Sequence, residues 1–332
     1  MDWLAHRGAL DGLAGIGHRI VHGGPDHVAP TVVTPELVRD LERITPLDPA
    51  HLPAEIALIE SFTARRPGVF QVACFDTAFH RDLPRVAQLL PLPHRYEASG
   101  VRRFGFHGLS FEYLLGELQR RAGPDAAAGR VVLAHLGSGA SLAAVRGGRC
   151  VDTTMGFTPA GGLVMGTRTG DLDPGILVHL ARTEGLSADQ LDRLVNRESG
   201  LLGVSGTSPD VRELLARQAN DLRAADAVEL FCYQTRKWVG AMAAALGGLD
   251  TLVFAGGIGE NAPEIRARVC EGLAFLGVRF DPIRNAAADP DIISVDGASS
   301  TVRVIRTDEE SVIARHAVRL LNLTTPRETL DA

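Results

Sequence analysis

Aromatic side chains are scarce in this sequence, at 5% of residues, so the interleaved rings on which single-stranded nucleic acids stack are not expected. Positive charge is not in excess either. A net charge of −6 gives no basic field to replace phosphate counterions, which argues against a nucleic-acid partner. Any anionic substrate must therefore be gripped by local cations. The four cysteines, Cys74, Cys150, Cys232 and Cys270, form no CxxC pair, a spacing that fits reduced thiols in a cytoplasmic protein better than a disulfide frame or a zinc site. The absence of an HExxH pattern argues against zinc as well. The longest apolar run, Trp238 to Leu249, is too short for the roughly 20 residues that cross a bilayer, so no membrane association is expected. Met1 to Gly17 contains no basic stretch followed by an apolar core, and no signal peptide is read there.

What is present is a soluble, turn-rich composition: 45% hydrophobic residues, 22% charged residues and 36 glycines in 332 residues. That length exceeds one ordinary domain and predicts two, with a cleft available between them. Short β-branched or apolar runs at Ile16–Val21, Val69–Phe75, Val131–Leu136, Leu142–Val145, Thr251–Ala255 and Val302–Ile305 read as strands. Helical patterns at Pro35–Ile44, Pro53–Thr63, Ser110–Ala122, Ala225–Leu246 and Glu309–Leu321 lie between them, which makes an α/β protein. Gly123-Pro124 and the alanines after it interrupt the pattern, and the domain boundary is placed there, giving domains 1–124 and 125–332. The tail after Asn322 is expected to fray.

Several constellations could carry chemistry. The strand Val131–Leu136 runs into Gly137-Ser138-Gly139, where backbone N–H groups can approach an anion, although a tight β-turn explains the glycines equally well. A second cluster, Gly256-Gly257-Ile258-Gly259-Glu260-Asn261, follows a buried-looking strand and is read as a turn before a helix near Pro263; two such segments favour a nucleotide. Arg19 and Arg168 stand beside glycines, where a guanidinium can grip carboxylate or phosphate oxygens, or simply be solvated. His51, His80 and His107 sit beside loops or strand ends and can donate to a phosphoryl oxygen or make a structural hydrogen bond. Asp76 ends a strand, where it faces a ligand crevice or caps a turn. Glu309 and Glu310 open a helix, and with Asp308 they also fit a capping pattern.

Taken in order, the strings HRIVHGG, FDTAFH, RRFGFHGLS, HLGSGASL, GFTPAGGLVMGTRTGDLDPG, GVSGTSPDVREL, FAGGIGENAPEIR and TDEE resemble the acetate kinases over nearly the whole chain. The resemblance implies two similar actin-like (ribonuclease H-like) α/β domains around a nucleotide cleft. It implies reversible phosphoryl transfer from ATP to acetate with Mg2+ or Mn2+ as cofactor, and a homodimer. A propionate- or butyrate-type kinase and a non-catalytic nucleotide-binding remnant are the alternatives. The resemblance makes Arg19 a ligand of the carboxylate substrate, Asp76 the essential acid, His107 and Arg168 stabilisers of the transferring phosphoryl group, and His51 a substrate-site histidine. Val21, Phe106 and Pro159 would lie against the acyl group. Nucleotide contacts fall on His135, Leu136, Gly137, Ser138 and Gly139, on Asp210, Val211 and Arg212, and on Gly257, Ile258, Gly259, Glu260 and Asn261; Glu309 is the metal-site glutamate. Two departures are noted. Met1 to Gly17 lacks the Asn-x-Gly-Ser-Ser-Ser-x-Lys loop with which the family opens, so the first domain is expected to be N-terminally truncated, and Ala50 replaces a usual leucine, which predicts a wider acyl pocket.

Overall fold

The computed structural model describes residues 12–324; the expectations about the first residues and about the tail after Thr324 lie outside them. The strands are β1 Gly15–Ile20, β2 Thr31–Val32, β3 Phe70–Phe75, β4 Val131–Leu136, β5 Ala140–Arg146, β6 Arg149–Thr153, β7 Thr251–Ala255 and β8 Thr301–Val304. The helices used below are α1 Pro35–Ile44, α2 Leu52–Arg65, α3 Gly108–Ala122, α4 Pro174–Thr183, α5 Val211–Arg217, α6 Leu222–Leu246, α7 Gly256–Asn261, α8 Pro263–Cys270 and α9 Glu309–Thr324.

The chain packs as two units. Of the described residues, unit 1 comprises 12–81, 107–109 and 308–324, and unit 2 comprises 82–106 and 110–307. The sequence cut at 124/125 differs from this packing at both ends: α9 closes onto the strands of unit 1, while residues 82–106 and 110–124 belong with unit 2. Local patterning does not report such returns of the chain.

In unit 1 the sheet order is β1-β3-β2, with β1 and β3 parallel and β2 antiparallel to β3. The run Gln71–Phe75 is wholly buried, as expected for a central strand that is covered on both faces. α1 starts where the Thr34 hydroxyl accepts from Leu37 N–H and Pro35 fixes the first turn. Its Leu37, Leu41 and Ile44, at helical spacing, join Leu52, Ile56 and Ile59 of α2 and Ile20, Ala73 and Phe75 of the sheet in one core. α9 lies against β1 so closely that a Cβ on Gly17 would stand 2.1 Å from Ile313 Cγ2.

In unit 2 the order is β6-β5-β4-β7-β8. β4 and β5 form an antiparallel hairpin, whereas β7 is parallel to both β4 and β8. β4 and β7 are aligned so that His135 pairs with Ala255, which brings the segments leaving both strands side by side. α6 is capped by Asp221, whose carboxylate accepts from the N–H groups of Arg223 and Ala224, and stops at Gly247 in the left-handed region at φ 75°. Its apolar stripe, including Phe231, Val239 and Leu246, is buried and packs on β4, β5 and β6. One expectation is corrected. Residues 256–261 form a short helix rather than an open turn, because the Glu260 carboxylate accepts the Gly256 N–H and Asn261 Nδ2 donates to the Gly257 carbonyl, which closes the turn on itself.

Candidate active site

The aligned ends of β4 and β7 create a cavity of about 490 Å3 in unit 2. It is lined by Gly137 and Ser138 after β4, by Pro209–Arg212 at the start of α5, and by Gly257, Ile258, Asn261 and Ala262 in and after α7. The three segments expected at a nucleotide therefore meet at one place. Gly137–Gly139 is both things the sequence allowed: it turns the hairpin, with Gly137 N–H donating to Gly139 O at 2.9 Å, and it lines the cavity. Asp210 caps α5 by accepting from Arg212 N–H at 2.8 Å and pairs with the exposed Arg212 guanidinium at 2.5 Å. His135, Leu136, Gly139, Gly259 and Glu260 do not line the cavity. Leu136 and Gly259 are buried.

Unit 1 holds a cation flanked by carboxylates. Arg19 stands at the end of β1, and its Nη2 donates to Asp76 Oδ2 at 2.6 Å while Nε donates to Oδ1 at 3.1 Å. Its Nη1 lies 3.2 Å from Glu309 Oε2. The Asp76 side chain is 2% exposed, yet that of Arg19 remains 41% exposed, so the pair anchors the guanidinium without hiding it. Burial disfavours the Arg19 cation, but attraction to Asp76, Glu309 and Glu55 outweighs this and holds it above its ordinary pKa. Burial pushes the Asp76 carboxyl upward, opposed by Arg19 and by the backbone N–H of His107. Burial also raises Glu309, again opposed by Arg19. The alternatives left open by the sequence resolve physically here. Asp308 caps α9 by accepting from Ser311 N–H at 2.9 Å, which leaves Glu309 for Arg19, and Asp76 is an ion-pair partner rather than a turn cap.

His107 joins the same cluster under strain. Among the described residues it alone is a non-glycine in the left-handed region, at φ 60°, a conformation that persists where surrounding structure enforces it. The enforcing contact is Gly108, whose N–H donates to Asp76 O at 2.9 Å and whose position leaves no room for a Cβ, 2.1 Å from that oxygen. His51 contacts the buried Asp48 through Nδ1 at 2.9 Å. His80 is buried.

Arg168 belongs to unit 2, as do Phe106 and Pro159. Its Nη1 donates to the Pro159 carbonyl at 3.0 Å, so two expected site residues touch. The turn that carries it packs against Gly200, where a Cβ would lie 2.7 Å from Arg168 O.

Glu55 escaped the sequence reading. Both of its carboxylate oxygens lie near Val21 N–H, at 3.1 and 3.3 Å, and burial, with Asp48 and Asp76 nearby, pushes its carboxyl up to about 7 against that hydrogen bond. The signal was present in the spacing of His51 and Glu55, one helical turn apart. Ser110 and Thr307 also went unread, although both stand inside quoted strings.

Among the described residues no cluster of three metal-ligating side chains occurs. Mg2+ needs only one or two carboxylates when nucleotide phosphates complete its shell, and the Glu309 and Asp76 carboxylates, both facing Arg19, fit that requirement.

The Acetokinase family model matches residues 4–315. An acetate kinase of Rhodopseudomonas palustris (strain TIE-1) is 50% identical over 309 residues, covering 93% of this chain and 77% of that protein. The crystal structure of Porphyromonas gingivalis acetate kinase superposes with a TM-score of 0.88 at 41% identity, covering 93% of this chain and 78% of that one. A propionate kinase from Francisella tularensis gives 0.90 at 35% identity, covering 95% and 81%. The fold is thus the actin-like ATPase fold of these kinases, and, matched along most of its length, the chain belongs to the acetokinase family.

Proposed function

We propose that this kinase moves the γ-phosphoryl group of ATP to acetate, giving acetyl phosphate and ADP, in a reversible reaction. The observation that carries the reading is Arg19, charged, anchored by two carboxylates and still 41% exposed. A short carboxylic acid is already ionised at neutral pH, so no strong base is needed. An acetate oxygen attacks phosphorus, the bond to the β–γ bridging oxygen breaks, and ADP leaves with that electron pair. The obstacle is repulsion between two anions. Positioned cations and donors lower it, with Arg19 on the acid and His107 and Arg168 on the equatorial oxygens. Asp76 orients Arg19, and the resemblance assigns Val21, Phe106 and Pro159 to the acyl group. When bound, Mg2+ would be held by Glu309 and would neutralise phosphate charge.

The cavity in unit 2 takes the nucleotide, whose size suits about 490 Å3. Propionate is the second substrate reading, supported by the Francisella relative and by exposed Ala50 before α2. A homodimer is supported by α4, an apolar helix with no buried residue that exposes Ile176 and Val178. No helix among the described residues is long and apolar enough to cross a membrane; four buried free thiols support a cytoplasmic setting.

The test is hydroxylamine trapping of acyl phosphate with ATP, Mg2+ and a panel of acetate, propionate and butyrate. Acetyl hydroxamate is expected. Nucleotide binding without any acyl phosphate would sink the reading in favour of a non-catalytic remnant.

A further inference from the structure

Glu260 is matched by resemblance to the nucleotide contacts, yet its carboxylate is turned toward the chain's own backbone. One oxygen, Oε1, accepts from Gly256 N–H at 2.9 Å and from Thr307 N–H at 3.1 Å. Gly256 opens α7, whose Gly257, Ile258 and Asn261 line the nucleotide cavity, while Glu260 itself does not. Thr307 is the last residue of unit 2 before the chain passes into unit 1 at Asp308. Its hydroxyl lies 2.8 Å from Ser110 Oγ. Ser110 is fully buried and is the residue at which the chain re-enters unit 2 after His107–Leu109. Ser110 Oγ in turn lies 2.8 Å from His135 Nδ1, on β4 two residues before Gly137.

A single hydrogen-bonded chain therefore runs from the base of the hairpin turn through Ser110, Thr307 and Glu260 to the start of α7. It joins two of the three cavity-lining segments to two of the points where the chain changes unit. Close to those points in sequence stand His107, three residues before Ser110, and Glu309, two residues after Thr307. A carboxylate oxygen that receives two backbone N–H groups is a strong, charge-assisted acceptor, and the fully buried Ser110 hydroxyl, placed between His135 Nδ1 and the half-buried Thr307 hydroxyl, has few alternative arrangements.

We propose that Glu260 is a positioning residue that couples filling of the nucleotide cavity to the chain crossings at Thr307 and Ser110, instead of contacting the nucleotide. This rests on the assignment of the cavity to a nucleotide. Binding that shifts or stiffens α7 acts on Glu260, and through its one oxygen on the Thr307 backbone.

The experiment uses the full chain with Glu260→Ala, Glu260→Gln and Ser110→Ala. The readouts are affinity for a fluorescent ADP analogue with Mg2+, steady-state kinetics, and amide hydrogen exchange at residues 305–312 and 107–112 with and without ADP. A glutamine keeps the Oε1 acceptor and loses the charge. Glu260→Ala is expected to lower kcat by about tenfold or more with a much smaller change in KM for ATP, and to abolish the ADP-induced protection at both crossings. Glu260→Gln is expected to restore kcat to within roughly threefold and to restore the protection. Ser110→Ala, which breaks the hydroxyl contacts to His135 and Thr307 and leaves Glu260 on the Thr307 backbone, is expected to remove protection at 107–112 alone. Loss of nucleotide affinity as severe in Glu260→Gln as in Glu260→Ala overturns the proposal, because it makes Glu260 a charged ligand. Wild-type protection surviving in Glu260→Ala overturns it too. A wild-type chain that binds ADP and shows the protection but makes no acyl phosphate removes the reaction assignment and leaves the coupling intact.

Discussion

Replacing Glu55 with glutamine probes the electrostatics around Val21 and Arg19. Burial lifts the Glu55 carboxyl from its ordinary 4.5 to about 7, and at about 1.4 kcal/mol per pH unit this corresponds to roughly 3 kcal/mol of disfavoured charge. The sign follows from proton counting. Between pH 4.5 and 7 the folded state holds the proton more tightly than the unfolded state does, so stability falls as pH rises through this window and is flat above it. The full benefit of the neutral form is therefore present below 4.5 and gone above about 7. Glutamine carries no charge at any pH and keeps an oxygen to accept from Val21 N–H. Measured by urea unfolding, the stability difference between Glu55→Gln and wild type should thus move in favour of the variant by up to about 3 kcal/mol from pH 4.5 to pH 8. Glu55 also acts electrostatically on Arg19, so its ionisation should weaken binding of an anionic acid. The wild-type KM for acetate should rise through pH 7, and that of the variant should stay level. A stability difference that is the same at pH 4.5 and pH 8 would refute the argument, since it would mean that Glu55 ionises in the folded chain as it does in water.

Asp76→Asn keeps the shape but removes the charge that anchors Arg19. It should lower kcat/KM for acetate by about 10²-fold or more, and because Arg19 is 41% exposed and retains Glu309 the stability cost should be about 1–2 kcal/mol, below that of a fully buried pair; unchanged kinetics would remove Asp76 from the reaction. Arg168→Ala should depress kcat by about 10²-fold while affinity for nucleotide persists, and equal loss of nucleotide binding would reassign the side chain. Gly17→Ala should destabilise unit 1 by about 1–3 kcal/mol through collision with Ile313 Cγ2, with recovery in the double variant that also carries Ile313→Ala; thermal melts without such recovery would count against the β1–α9 packing.

The elements most legible in the sequence were those whose local chemistry and burial agree. β4 and β7 lie where their apolar runs ended, and α1 begins and ends where Thr34, Pro35 and Ile44 place it. The two-residue β2 carries no period, the five-residue β6 has only Cys150 and Val151 as apolar residues, and the glycine run Gly256–Asn261 is helical because Glu260 within it closes back on Gly256 N–H; none of the three is legible from apolar patterning. The chain by itself fixed which residues carry charge at strand ends, and the ordered strings fixed the family. What the tertiary structure alone decided is which of them share a site. Arg19, Asp76, His107 and Glu309 gather in one unit because α9 returns from the far end of the chain to cover β1. Glu260, which the resemblance counts among the nucleotide contacts, accepts backbone N–H groups from Gly256 and from Thr307, and the second of these, 47 residues away along the chain, is brought to it by packing, to which no local pattern is sensitive.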